Sequence, residues 1–356
     1  MRAYGHVDPA FTDVADAFVE GFSERGEVGA GLAIVVDGRA VVDLVGGTAD
    51  DAGAPWVPTT IVNAYSVVKP LAAACLLLLV ERGLVDLDGR VARWWPEFAA
   101  AGKDDVTVRQ VLAHQAGLDL FERPPDLETL LDWDAMVALL ASSAPGWPPG
   151  SAHAEHVGTY GHLVGELVRR IDGRSLGGFL RDELAGPWEL DFHVGLTPEL
   201  QRRAAAIVDP EGAFVSPLAR PAEIARPAIV NSPAWRAAEI PAVNGHGTAL
   251  ALARFYAALG AGGTLGGVRL FSRELVAEAT RPQLVARDRV LDRTVAWCLG
   301  VQADTEDGGF GMGGLGGNLG RWDGRRYAIG YVTRRLGDHA RIDAVEDLLR
   351  EVLARR

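Results

Sequence analysis

The segment Ala64-Tyr65-Ser66-Val67-Val68-Lys69-Pro70, followed at once by the apolar run Leu71 to Val80, organises the chain. A serine and a lysine three apart at the head of a helix lie one turn apart on one face, so the amine reaches the hydroxyl. That is the geometry of an activated nucleophile. The Ser-x-x-Lys spacing alone is common, and Ser66 could simply cap the helix. Composition gives the pair its weight: of 35 basic residues only two, Lys69 and Lys103, are lysine. A chain so biased toward arginine uses it wherever a fixed charge suffices, so Lys69 marks a position that needs an amine. Arginine cannot be deprotonated in a protein, whereas a desolvated lysine serves as a base.

At 356 residues the chain is long for one core and comfortable for two lobes. Its 48% hydrophobic and 23% charged residues are those of a soluble globular protein. The net charge of −12 argues against nucleic acid or an anionic membrane as partner and leaves small neutral or cationic substrates open. Cys75 and Cys298 sit far apart in apolar contexts, which suits buried thiols in a reducing cytoplasm better than a disulfide. Met1 to Glu20 lacks the basic-then-apolar order of a secretory signal. Leu71 to Val80 is about half the length a membrane crossing needs and reads as a buried helix.

In chain order, Phe11 to Phe22 carries apolar residues at helical spacing, so a helix is expected to open the fold. Gly29 to Asp37 and Arg39 to Gly46 flank Asp37-Gly38, which predicts a hairpin. Val106 to Ala113 reads as a helix capped by Thr107, and Asp126 to Ser142 as another. The stretch Ala144 to Gly150 is a stiff loop, and Tyr160 to Ile171 a helix. Pro187 to Pro241 reads as irregular. Helices are expected over Asn244 to Leu259, Ser272 to Ala279 and Ile342 to Leu353, and strands over Thr294 to Gln302 and Tyr327 to Thr333. Between those strands, eight of the thirteen residues Gly308 to Gly320 are glycine. With no Gly-Lys-Ser/Thr ending and no helix after it, the run suits backbone close to a substrate rather than a phosphate loop. The fold class is therefore α/β. Residues 1–79 and 236–356 build one lobe with an antiparallel sheet flanked by terminal helices; residues 80–235 form a mostly helical second lobe, with the active-site cleft between.

Four segments carry a resemblance over nearly the whole length: Asn63 to Lys69; Val106 to Leu118 with His114 and Gly117; Pro149-Gly150-Ser151 through Thr159-Tyr160-Gly161 to Gly165; and Phe310 to Gly317 with the strand Tyr327 to Thr333. The chain resembles the serine β-lactamase and penicillin-binding-protein superfamily, in its class C-like esterase and transacylase branch, the family VIII type. The resemblance implies that Lys69 takes the Ser66 proton and that Ser66 attacks an ester or amide carbonyl. The acyl-enzyme is then resolved by water or another nucleophile. It also implies an oxyanion hole from the backbone N–H groups of Ser66 and Leu315. His114 is expected to pack behind the site, and Asn244 and His246 to shape a helix-entry loop.

Two departures matter. Where the family's second motif has a tyrosine, a few residues after Pro149-Gly150, this chain has Glu155. A carboxylate beside Lys69 favours the ammonium, so the usual division of labour changes: Glu155 becomes a base or a general acid, with His153 and His156 as neighbours at the substrate. Where the third motif carries lysine or histidine, this chain has Met312. Without that cation the motif does not recognise the carboxylate of β-lactams or peptidoglycan stems, which argues against β-lactamase and DD-peptidase activity. Met312 is expected instead to offer an adaptable apolar wall that suits a neutral or aromatic substrate, with Tyr65, Gly313 and Gly314 also binding it. His153-x-Glu155-His156 lacks the spacing of a zinc site, so neither metal nor cofactor is expected. The leading function is acyl hydrolase or acyltransferase acting on a specialised metabolite. A repurposed isomerase, cyclase or lyase using Glu155 and Lys69 without an acyl-enzyme stands as alternative, and a non-catalytic binding homologue as a second one. Oligomeric state is left open.

Overall fold

The computed structural model describes residues 3–119, 125–212, 214–216 and 218–355. Strands β1 (Tyr4–Val7), β2 (Gly29–Val36) and β3 (Arg39–Gly47) come first, then β4 (Val62–Asn63), β5 (Phe192–His193) and β6 (His246–Gly247). The hairpin β7 (Thr264–Leu265) and β8 (Val268–Arg269) precedes β9 (Leu284–Arg287), β10 (Thr294–Trp297), β11 (Gln302–Ala303), β12 (Phe310–Gly314), β13 (Asn318–Trp322) and β14 (Tyr327–Thr333). Nine of them form one antiparallel sheet in the order β1-β3-β2-β14-β13-β12-β11-β10-β9. Segments from both ends of the chain thus share it. A small sheet β4-β6-β5 sits apart from it.

Both faces of the sheet are covered, and β2 shows why. Leu32, Ile34 and Val36 pack with Phe11, Val14 and Phe18 of the N-terminal region and with Ile342, Val345 and Leu349 of the helix Ala340–Ala354. Ala33 and Val35 point the opposite way, into the core shared with helix Ala249–Gly260. This is the period-2 alternation of a strand buried on both sides. Helix Ala249–Gly260 lies so close that a Cβ on Gly330 would meet the Ala249 carbonyl oxygen at 2.1 Å. The same core continues through helix α2 (Val68–Glu81), whose residues Val68 to Leu79 are all buried, to Leu163 and Leu167 of the helix Tyr160–Asp172. A helix apolar all round belongs inside, and α2 is packed from the sheet and from the helical segments alike.

Four expectations need correction. A strand, β1, opens the fold ahead of helix α1 (Thr12–Glu24); it is a largely exposed edge partner of β3, so its sequence carries no apolar alternation. Asp126 to Ser142 is two helices, Leu127–Leu131 and Trp133–Ser142, because Asp132 breaks the run and its carboxylate caps the second. Thr294 to Gln302 is not one strand: β10 turns at Gly300, φ +94°, and returns as β11. The helix expected from Asn244 starts at Ala249, capped by Thr248. Thr107 caps Val108–Leu112 in a reciprocal capping box with Gln110, as the sequence predicts.

Candidate active site

Ser66 stands in a single helical turn, Tyr65–Val67, between β4 and α2. Tyr65, buried and at φ +51°, turns the chain so that Ser66 heads the helix. A side chain with Cβ is strained in that left-handed region, and the surrounding packing holds it there. Lys69, in the first turn of α2, is fully buried. Its Nζ donates to Ser66 Oγ at 2.8 Å and to the Ala242 carbonyl at 3.1 Å, and lies 3.0 Å from Glu155 Oε1. Three partners match the three hydrogens of an ammonium. They serve a neutral amine equally: two hydrogens on Ala242 and Glu155, the lone pair accepting from the serine hydroxyl. Burial draws the Lys69 pKa below its usual range, and the charge and hydrogen bond of Glu155 act against that.

Ala242 had no side-chain signal in the sequence. Its loop is fixed by Asn244, whose Oδ1 accepts from the Ile240 N–H and whose Nδ2 donates to the Trp235 and Ala238 carbonyls. Asn244 is thus a loop-shaping residue one layer behind Lys69.

A cavity of about 490 Å³ opens over Ser66. Tyr65, Ser66 and Glu155 line it on one side, Met312, Gly313, Gly314 and Leu315 on another. Strand β12 reaches the serine turn through Gly314, where a Cβ would meet the Ala64 carbonyl at 2.5 Å and Val67 Cγ2 at 3.0 Å. Only glycine allows that approach. Met312 is buried against Leu291, Val295 and Trp297 and forms a wall.

His153 and His156, expected beside the substrate, do not line the cavity. His153 Nε2 donates to the Ala286 carbonyl, while His156 donates through Nδ1 to Ala154 and accepts at Nε2 from the Leu118 N–H. Both rings are thus turned onto backbone groups rather than toward the cavity. Burial lowers the His156 pKa to about 4, so it stays neutral. His114 packs behind them, its ring 4.3 Å from that of Tyr160 and 4.0 Å from that of Trp297, and its Nδ1 accepts from the His156 N–H. Residues that sequence reading missed also line the cavity: Arg293, Gln302, His339, Leu291 and Val243. They arrive from distant segments, and no local pattern announces them.

A model of the family described as Beta-lactamase matches residues 14–354. The chain belongs to that family, and with it to the serine hydrolases of the β-lactamase fold. The Esterase/beta-lactamase LipL of Mycobacterium tuberculosis (strain ATCC 25618 / H37Rv) is 36% identical, across 99% of this chain and 89% of its own. The crystal structure of a family VIII carboxylesterase superposes with a TM-score of 0.91 at 34% identity, covering 99% of this chain and 100% of the other. A penicillin-binding protein homologue from Caulobacter crescentus gives 0.90 at 36% identity, with 99% and 100% covered. Among the described residues no helix is long and apolar enough to cross a membrane.

Proposed function

We propose that the protein hydrolyses small esters through an acyl intermediate on Ser66, with Lys69 and Glu155 acting as one proton-transfer unit. The observation that carries this reading is the buried chain Ser66 Oγ, Lys69 Nζ, Glu155 Oε1, with links of 2.8 and 3.0 Å. An ammonium cannot accept the serine proton, so Lys69 passes one of its protons to Glu155 as it takes the proton from Ser66. The net transfer is from hydroxyl to carboxylate, and the serine oxygen bonds to the ester carbonyl carbon. The oxyanion that forms is held by the backbone N–H groups of Ser66 and Leu315. Collapse breaks the bond to the leaving alkoxide, which takes the stored proton back along the same chain. Water then attacks the acyl-serine carbonyl and gives a proton to the pair; collapse breaks the acyl–Oγ bond, and the departing serine oxygen takes that proton back, which restores Ser66 and releases the acid. An alcohol or amine in place of water makes the same enzyme an acyltransferase.

The relatives described as an esterase/β-lactamase and as a family VIII carboxylesterase support an ester as substrate. Met312, an apolar side chain in the third motif, adds an apolar wall suited to the body of such an ester. The test is intact mass spectrometry with a fluorophosphonate and an activated ester. A stoichiometric mass increase on the wild type, absent in Ser66→Ala, is expected. An unlabelled wild type overturns the reading.

A second reading is favoured by the exposure of Glu155 to the cavity: acid–base chemistry of an isomerase or lyase without an acyl-enzyme. It requires turnover that survives Ser66→Ala and is lost in Glu155→Gln.

A further inference from the structure

Arg293 is the charged residue of the Ser66 cavity that has no partner of opposite sign among the described residues; Glu155, the other, is paired with Lys69. Arg293 immediately precedes β10 and lines both this cavity and an adjoining groove of about 450 Å³. Its Nη2 donates to Gln302 Oε1 at 2.9 Å, and Gln302 Nε2 lies 3.9 Å from Met312 Sδ. Gln302 stands on β11, opposite Gly311 of β12. The guanidinium is thus anchored beside the one third-motif position that carries no cation.

The neighbouring charges leave Arg293 uncompensated. Asp292, next in the chain, is taken by Arg287 at 2.7 Å. In the groove, Arg321 holds Asp307 at 3.0 Å and Asp304 at 3.6 Å. Glu306 lines the groove alone and not the serine cavity. An exposed planar cation with free donors, lining the cavity together with Met312 and Leu291, matches a carboxylate in geometry and charge.

From this we infer that Arg293, held by Gln302, is a specificity residue that binds a carboxylate at the end of one arm of the ester substrate. The cation missing from β12 is supplied from the neighbouring hairpin, and the expectation of a substrate without negative charge, drawn from Met312 and from the net charge, is revised accordingly. The turnover part of this inference rests on the acyl-Ser66 reading; the binding part does not.

Two measurements separate them. The first compares kcat/KM for 4-nitrophenyl hydrogen glutarate with that for its neutral methyl ester, and likewise for a pair carrying the carboxylate on the alcohol arm. Wild type should favour the carboxylate member of at least one pair. That preference should fall by about tenfold or more in Arg293→Gln, invert in Arg293→Glu and partly return in Arg293→Lys, with the change for the carboxylate member exceeding that for its neutral ester. Equal ratios in all four proteins overturn the inference and leave the acyl-serine reading standing. The second titrates glutarate calorimetrically into Ser66→Ala and into Ser66→Ala with Arg293→Glu. Binding lost in the double variant supports the anion site even if no ester is turned over; identical titrations, or no binding to either, overturn it.

Discussion

Glu155 Oε1 lies 3.0 Å from Lys69 Nζ, and the two side chains are 5% and 0% exposed. Burial and this pairing pull the lysine in opposite directions: desolvation favours the free amine, the carboxylate favours the ammonium. The proton-transfer unit is poised by their balance, and each half can be altered separately.

Glu155→Gln keeps the size and an acceptor oxygen but removes the charge. The loss of a proton acceptor should lower kcat/KM for an activated ester by about 10²- to 10⁴-fold. The residual activity carries the more diagnostic signature. In the wild type the carboxylate is the proton acceptor, so the ammonium form of Lys69 is the active one. In the variant the only acceptor left is a free Lys69 amine, so the acid limb of the residual pH–kcat/KM profile should move to higher pH. A limb that stays in place or moves to lower pH would mean that Glu155 is not the acceptor.

Gly314→Ala tests the contact between β12 and the serine turn. The added methyl group meets backbone at Ala64 and the side chain of Val67, so the strand end must move away from Ser66. We expect stability to fall by about 1–3 kcal/mol and turnover to fall by more than the lost folded fraction, because the Leu315 N–H shifts with the strand. Gly21→Ala in α1 is the control, since nothing lies within 4 Å of its added Cβ. It should raise stability by roughly 0.5–1 kcal/mol without touching activity. Thermal melts combined with active-site titration distinguish the two effects.

What was legible in the sequence follows from which interactions are local. Ser66 and Lys69 are one helical turn apart, so spacing and the scarcity of lysine exposed them. Tyr327–Thr333 was read to the residue because a strand among strands leaves an uninterrupted apolar run with sharp ends. Tyr4–Val7 escaped because an edge strand exposed on most of its length has no pattern to show. The turn inside Thr294 to Gln302 rests on one glycine, too little to break the apolar pattern. His153 and His156 were drawn to the substrate by their nearness to Glu155 in the chain, yet chain neighbours need not share a cavity. Arg293, His339 and the Ala242 carbonyl belong to the site only through tertiary packing.

Acid stability gives a prediction independent of the reaction. His114, His156, His162 and His246 are all buried, and burial holds every one below the ordinary value of 6.5: His156 and His162 at about 4, His246 at about 3, His114 well below. On acidification the unfolded chain takes up protons from pH 6.5 downward while the folded chain does not. Stability is therefore full above about pH 6.5 and is lost as the pH falls toward 4, by at most about 1.4 kcal/mol per pH unit for each histidine. Denaturant midpoints should be flat above neutrality and should slope below it. His162→Phe, which retains an aromatic ring against Trp133, should make the slope shallower by about one proton. A slope unchanged by that substitution would mean that His162 takes no part in the acid sensitivity.

Lys103, the second of the two lysines, shows that scarcity marks the need for an amine but not its purpose. It is fully buried, and its Nζ donates to the carbonyls of Ala100 at 2.8 Å and Ala141 at 3.1 Å and to that of Ser143. The amine closes the C-terminal end of the helix Trp133–Ser142 onto the turn that contains Ala100. Here three small donors in one compact group are what arginine cannot provide. Lys103→Met retains the length and leaves three carbonyls without their donor, at a cost of roughly 2–5 kcal/mol of stability. Because Lys103 lies outside the Ser66 cavity, the folded fraction should label with fluorophosphonate at the wild-type rate. Lys69→Met should do the reverse, abolishing labelling in protein that is still folded. If both variants lost labelling per folded molecule, Lys103 would have to act on the site through the helix it closes.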